Sequence, residues 1–329
     1  MMPLSDAAVD RLRRLGSWPE FESNRYSVLE EIGRGGMGTV YLARDEELGR
    51  EVAIKIPHSL GNAALENARR LETEARVLAT LEHPGIVPIH DTGRLADGRV
   101  FYVMKRVQGR TLGEHLHAIA DQGERLRVFE RICEPVAFAH ARGFIHRDLK
   151  PENVMVGSFG EVMVMDWGIA KVSGRPEVTA SVERQTGVGT VVGTRGFMAP
   201  EQARGATNEA EIDARVDVYS LGAILSWLLT GVVPETPEDA AARLRRCKIP
   251  RPLSAICTKS LATDPAARYQ SVTALSEDVA RYRAGGAVGA YRETAVERAI
   301  RFGRTYRTAI LLVLAYIVMR AVVALVAGW

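Results

Sequence analysis

The 329-residue sequence has little cysteine: only Cys133, Cys247 and Cys257. None has CxxC spacing or a histidine companion, which excludes a zinc finger and a disulfide framework. Such scarcity fits a reducing, cytoplasmic compartment for the main domain. A strong charge excess is also missing: 43 Lys and Arg against 40 Asp and Glu leave a formal net charge of +3. The average composition therefore offers no argument for a nucleic-acid partner. Met1 to Asn24 lack the apolar core of a secretory signal, and no internal repeat is visible. With 47% hydrophobic and 25% charged residues, disorder is not the default state.

What is present begins as a β-rich unit. Tyr26–Ile32, Thr39–Arg44 and Val52–Ile56 read as strands, the first two joined by a glycine-rich turn. Between Ala63 and Leu81 the apolar residues Ala64, Ala68, Leu71, Ala75, Leu78 and Leu81 recur at helical spacing, and His83-Pro84-Gly85 ends that helix. Val87–Leu95 and Arg99–Arg106 are two further strands around the Asp97-Gly98 hairpin signal. Beyond Gly109 helices dominate: Leu112–Ile119, Leu126–Arg142, Val216–Thr230, Ala240–Lys248, Leu253–Leu261 and Ser271–Arg283. The expectation is an α+β chain with a small β-rich lobe, a larger helical lobe and a ligand cleft between them.

Several residue groups carry chemistry. Gly33-Arg34-Gly35-Gly36-Met37-Gly38-Thr39-Val40 lies between two strands, where glycine lets backbone amides approach phosphate oxygens. A dinucleotide crossover would need a helix directly after these glycines; a strand follows instead. Lys55, in Val52-Ala53-Ile54-Lys55, can supply a cation to phosphates if a carboxylate holds it. Glu74 is the candidate, since it lies on the inward stripe of Leu71, Ala75 and Leu78; Glu72 is its competitor.

The strongest local signal is His146-Arg147-Asp148-Leu149-Lys150-Pro151-Glu152-Asn153. Asp148 can accept or orient a hydroxyl proton, and Lys150 can neutralise a transferring phosphoryl group. Asn153 can ligate a divalent metal through its amide oxygen. In Asp166-Trp167-Gly168, Asp166 supplies a second metal ligand and Trp167 is suited to pack under the helix bearing Glu74. Ala199-Pro200-Glu201 suggests an ion pair between Glu201 and Arg268. Asp217, opening an apolar helix, would hydrogen-bond the backbone of the Asp148 loop.

Taken together, these residues resemble the eukaryotic-type protein kinase superfamily from about Tyr26 to about Tyr282, in that family's order. The resemblance implies a bilobal kinase fold and transfer of the γ-phosphoryl group of ATP, with Mg²⁺ (or Mn²⁺), to protein hydroxyls. By position it implies Gly33, Gly35, Gly36 and Gly38 over the phosphates, and Lys55 paired with Glu74. It makes Asp148 the base, with Asn153 and Asp166 on the metal. It places Ile32, Val40, Ala53, Met104 and Val107 around the nucleotide, with Met104 as gatekeeper and Lys105–Val107 as hinge. Lys150 and Thr194 resemble serine/threonine kinases. The wording Gly-Gly-Met-Gly-Thr-Val, His83-Pro84-Gly85-Ile86-Val87 and Ala199-Pro200-Glu201-Gln202 is similar to bacterial receptor-like members. Departures are Trp167 in place of phenylalanine, Lys105 and Gln108 where acidic residues are common, and a short Gly231–Leu253 region. A non-catalytic ATP-binding scaffold and a small-molecule phosphotransferase are the alternative readings.

Regulation is expected between Asp166 and Glu201. Arg147 is the expected partner of a phosphate there. Thr186 and Thr190 are the leading autophosphorylation candidates, ahead of Thr179 and Ser181, whereas Thr194 would orient the substrate hydroxyl. A homodimer would support autophosphorylation in trans. At the C-terminus, the apolar run Ala309–Ala327 contains Tyr316 and Arg320 and approaches a bilayer's thickness. The basic residues Arg292, Arg298, Arg301, Arg304 and Arg307 precede it. The expectation is a single-pass or tail-anchored membrane protein in contact with lipid, its kinase domain cytoplasmic. The expected division is a lead-in (1–25), a small lobe (26–108), a large lobe (109–283), a basic juxtamembrane segment (284–308) and a membrane helix (309–327).

Overall fold

The computed structural model describes residues 18–35, 38–56, 75, 79–119, 121–167, 171–172, 195–204 and 212–327. The small lobe is a five-stranded antiparallel sheet of order β1-β2-β3-β5-β4. Its strands are β1 (Tyr26–Gly35), β2 (Gly38–Asp45), β3 (Arg50–Ile56), β4 (Ile89–Arg94) and β5 (Val100–Lys105). β3 is central, so both of its faces are covered. Val52, Ile54 and Ile56 join Tyr26, Ala43, Leu95, Phe101 and Val103 in one apolar cluster. Alternation along the strand turns Ala53 and Lys55 to the other face, where both are still buried.

Part of the lead-in is built into this lobe. Phe21 bridges to Leu95 and meets the Phe101 ring edge-on at 5.0 Å. Arg25 joins β2 to β4 through Asp45 at 3.3 Å and Asp91 at 3.0 Å. The helix expected over Ala63–Leu81 lies outside the described residues except for Ala75, Ala79, Thr80 and Leu81; Ala75, Ala79 and Thr80 are helical, and Ala75 is buried.

The large lobe starts with β6 (Gly109–Thr111) and α1 (Leu112–His115), then α2 (Gln122–Ala141), β7 (Phe144–Ile145), β8 (Val154–Gly157), β9 (Val162–Val164) and β10 (Lys171–Val172). It continues through α3 (Pro200–Ala203), α4 (Arg215–Thr230), α5 (Pro237–Arg246), α6 (Arg251–Ser260) and α7 (Val272–Arg283). α4 is buried along almost its whole length, as its continuous apolar composition requires. It stops where Gly231 adopts φ 76° and returns its N–H to Trp227, a backbone state that glycine takes without steric cost. α5 starts earlier than its apolar period suggested, because Thr236 caps it and Pro237 occupies its first turn.

One ion pair ties the lobe's distant parts. Arg268, whose side chain is fully buried, donates to both Glu201 oxygens at 2.7 and 2.8 Å. Its remaining donors reach the carbonyls of Ala262, Arg215 and Thr263, so the whole guanidinium fork is engaged.

The C-terminal part requires one correction. Residues 295–305, inside the segment expected to be basic and juxtamembrane, form α8 (Ala295–Thr305), started by a Thr294–Glu297 capping box. Asp278 fixes the chain leading to it by accepting the N–H groups of Gly289 and Ala290 at 2.7 and 3.0 Å. The apolar run forms α9 (Arg307–Ala327). Among the described residues, however, no helix is long and apolar enough to cross a membrane. That finding overturns the expected membrane span or tail anchor, the expected lipid contact and the membrane location. Arg320 interrupts the apolar run: between it and Arg307 the uncharged stretch is Thr308–Met319, about 18 Å at ~1.5 Å per residue, against a bilayer core of about 30 Å.

Breaking the buried Glu201–Arg268 pair should be costly. Arg268→Ala would leave a carboxylate in a closed site and lower stability by about 3–5 kcal/mol, or roughly 10 °C in Tm for a domain of this size. Calorimetry reads this directly; an unchanged Tm would contradict the bracing role.

Candidate active site

The Asp148 loop leaves α2 through β7 and is held from below by Asp217, the third residue of α4. The Asp217 carboxylate is fully buried and accepts three hydrogen bonds. One oxygen takes the His146 N–H at 2.8 Å and the His140 ring at 2.7 Å; the other takes the Arg147 N–H at 2.8 Å. Burial alone would push this carboxyl's pKa up, but the hydrogen bond and charge of His140 and the His146 donor hold it below the ordinary range. Arg147 sits at φ 68°, a left-handed state uncommon outside glycine and here fixed by that anion.

Beyond this bend the functional side chains converge. Lys150 Nζ donates to Asp148 at 2.8 Å. Asn153 Nδ2 donates to the Asp148 carbonyl at 2.7 Å and to its carboxylate at 3.1 Å. The Asn153 amide oxygen is thereby directed away from Asp148. The Asn153 carbonyl accepts the N–H of Met165 at 2.8 Å, which places Asp166 beside the loop. Asp166 adopts φ 57° and receives Lys55 Nζ, from β3 of the small lobe, at 2.8 Å. Burial raises the Asp166 pKa, yet the Lys55 charge and hydrogen bond outweigh it and leave the carboxyl below its usual value.

Trp167 is buried against the His146 ring, 4.6 Å between centroids. Its indole N–H reaches the Val164 carbonyl at 3.3 Å, while the His146 ring contacts the Met165 carbonyl at 2.9 Å. The two rings thus hold the turn carrying Asp166. Across the cleft, β1 and β2 pair antiparallel as far as these glycines, Gly33 opposite Val40 and Gly35 opposite Gly38, with register shifts between Val28 and Glu30 and between Glu31 and Gly33. Val40 stands opposite Lys55, and Ala53 opposite Met104. Ile32 is exposed, Val40, Met104 and Val107 are half-buried, and Ala53 is buried.

Some expected residues lie outside the described ones: Glu74 and its competitor Glu72, Gly36, Thr179, Ser181, Thr186, Thr190 and Thr194. Two contributors were not singled out from the sequence. His140 has no local signal, because its partner lies 77 residues away. Gln202 donates to the Arg147 carbonyl at 2.9 Å and accepts the Ala199 N–H at 3.3 Å; its place after Glu201 was the available hint.

A family model described as "Protein kinase domain" matches residues 26–278. The chain belongs to the protein kinase family. It is 35% identical over 306 residues to the serine/threonine-protein kinase PknD of Protochlamydia amoebophila, covering 80% of this chain and 30% of that protein. It is 35% identical over 285 residues to the serine/threonine-protein kinase PknB of Mycobacterium tuberculosis, covering 81% and 44%. The chain thus spans less than half the length of these curated relatives. Among solved structures, the Mycobacterium tuberculosis PknI kinase domain aligns with a TM-score of 0.59 at 25% identity, covering 80% of this chain and 98% of that one. The bilobal α+β architecture is that of the kinase fold, and kinase family membership implies ATP and Mg²⁺ in general terms.

In this chain the buried Asp217 should shape the acid limb of stability. A carboxyl whose folded pKa is depressed stabilises above its unfolded value, near 3.9, and loses that contribution as pH falls through the folded value. Unfolding free energy should therefore drop steeply below about pH 4 and more shallowly in Asp217→Asn, as read by denaturant titrations across pH. Equal slopes would contradict the placement.

Proposed function

We propose that this chain is an ATP-dependent serine/threonine protein kinase that transfers the γ-phosphoryl group to hydroxyls of protein substrates, with autophosphorylation as its means of activation. The observation that carries this reading is the Asp148 carboxylate held by Lys150 and Asn153 beside an Asp166 already joined to Lys55 of the other lobe. The donor set fits a magnesium nucleotide. The Asp166 carboxylate and the free amide oxygen of Asn153 are hard oxygen ligands, and Lys55 brings a cation to the same place. Bound Mg²⁺ would draw negative charge from the phosphates.

The remaining work belongs to the chain. Asp148 receives the proton of the substrate hydroxyl as its oxygen bonds to the γ-phosphorus. The bond from that phosphorus to the β-γ bridging oxygen breaks, and ADP leaves with the electron pair. Lys150, 2.8 Å from Asp148, offsets the charge that gathers on the moving phosphoryl group. Lys55 orients the α and β phosphates, with Glu74 proposed to hold it. Gly33, Gly35, Gly36 and Gly38 bring backbone amides over the phosphates, and Ile32, Val40, Ala53, Met104 and Val107 surround the adenine. Arg147 is proposed to receive a phosphate on Thr186 or Thr190. Support for serine/threonine specificity comes from Lys150 and from the PknD and PknB relatives.

The test is transfer from γ-labelled ATP with Mg²⁺, comparing the wild-type chain with Asp148→Asn. Label on serine or threonine, reduced about 10²–10⁴-fold in the variant, is the expected outcome. Equal labelling in a folded Asp148→Asn protein, or none in a wild-type chain that binds ATP, would overturn it.

A further inference from the structure

The connection between α4 and α6 carries Glu235, Glu238 and Asp239 in its first part and turns basic in its second. From Ala240 to Thr263 the sequence carries Arg243, Arg245, Arg246, Lys248, Arg251 and Lys259 and no acidic residue. Arg243 is spoken for by Asp239 at 2.7 Å. Arg245, Arg246, Lys248 and Arg251 are exposed around the end of α5 and the start of α6. Buried Leu244 and Leu253 on either side fix the backbone that displays them.

Helix electrostatics accounts for only half of this cluster. Arg245 and Arg246 lie in the last turn of α5, where the dipole favours cations. Lys248 lies past that turn at φ 54°. The Lys248 N–H bonds the Arg245 carbonyl at 3.0 Å and the Ile249 N–H bonds the Leu244 carbonyl at 3.0 Å. That is the helix-ending motif whose left-handed position usually holds glycine, so a lysine here is conformationally disfavoured. Arg251 is the first residue of α6, with no acidic residue in that first turn, and there the dipole disfavours a cation. Lys248 thus stands where the backbone argues against a non-glycine residue. Arg251 carries the basic edge on beyond Arg246, and with the Thr294 cap its charge also helps hold the Glu297 carboxyl below its usual pKa.

The start of the same connection borders the segment leading to Glu201. Gly196 lies so close to Val233 and Pro234 that a Cβ there would overlap the Pro234 carbonyl oxygen and the Val233 side chain. α5 begins three residues after Pro234.

We propose that Arg245, Arg246, Lys248 and Arg251 form a docking site for an acidic segment of a protein substrate. The proposal rests on the kinase reading for the word substrate, but not for the binding itself. A protein partner is favoured because the edge continues from the connection that packs on the Gly196 segment, on the way to Glu201. The remainder of the chain is nearly neutral, which offers no extended track for a nucleic acid.

The test has a binding arm and a kinetic arm, with three proteins: the wild-type full chain, Arg245→Gln/Arg246→Gln, and the charge-matched control Arg127→Gln/Arg142→Gln. Anisotropy of a fluorescein-labelled deca-glutamate peptide should show binding that weakens with salt. The Arg245/Arg246 variant should bind about fivefold more weakly and the control like wild type. In the kinetic arm, that variant should raise KM for α-casein, an acidic protein, by a similar factor with kcat unchanged, and leave myelin basic protein and autophosphorylation unaffected. Equal peptide binding by all three proteins would overturn the proposal. So would no binding, equal kinetic losses on both substrates, or a stronger preference for a duplex oligonucleotide or phosphatidylserine vesicles. If no protein is phosphorylated but the peptide binding behaves as described, the kinase reading fails and the acidic-segment site stands.

Discussion

A buried carboxylate bearing three hydrogen bonds holds this large lobe's working surface in shape. Asp217 lies in the central apolar helix, where an unpaired anion would be strongly disfavoured. It is tolerated because His140, His146 and Arg147 all donate to it. Those bonds impose the left-handed bend at Arg147, and the bend presents Asp148, Lys150 and Asn153 on one side. His146, fixed through its own backbone, then supports the Met165 carbonyl and packs on Trp167. The orientation of Asp166 follows from that of Asp217 through a chain of direct contacts.

The two lobes contribute differently. The large lobe's groups hang from α4, a helix buried almost throughout, and are braced at its edge by the fully engaged guanidinium of Arg268. The small lobe contributes Lys55 from its central strand, and the Lys55–Asp166 ion pair joins the lobes directly at the site. Trp167 fits this arrangement without displacing anything: its extra ring is enclosed and its N–H finds the Val164 carbonyl. Its size therefore serves the same turn that a smaller aromatic could hold by packing alone.

Much of this was legible in the sequence, for reasons of range. Lys150 and Asn153 act on Asp148 within five residues, so their spacing carries their geometry. Strand alternation around Val52–Ile56 and the continuous apolar run of Val216–Thr230 are equally local. Long-range partners left no such trace: nothing near His140 points to Asp217, and Gln202 meets the Arg147 carbonyl only after folding. Capping chemistry was legible but overridden by hydrophobic period. Thr236-Pro237 starts α5 before its first buried apolar residue, and Thr294 with Glu297 starts α8 in a segment for which only its basic character was noted. At the C-terminus, apolar composition over 309–327 suggested a span, where the charge at Arg320 mattered more.

The central claim is that one carboxylate suspends the Asp148 loop. Amide hydrogen exchange, followed residue by residue in the wild-type protein and in folded Asp217→Asn, tests it most directly. His146 and Arg147 amides should lose most of their protection in the variant, with Met165 following, while the amides of β3 and β5 in the small lobe keep theirs. Unchanged protection at His146 and Arg147 would contradict the claim and leave the loop's geometry to be explained by its own packing.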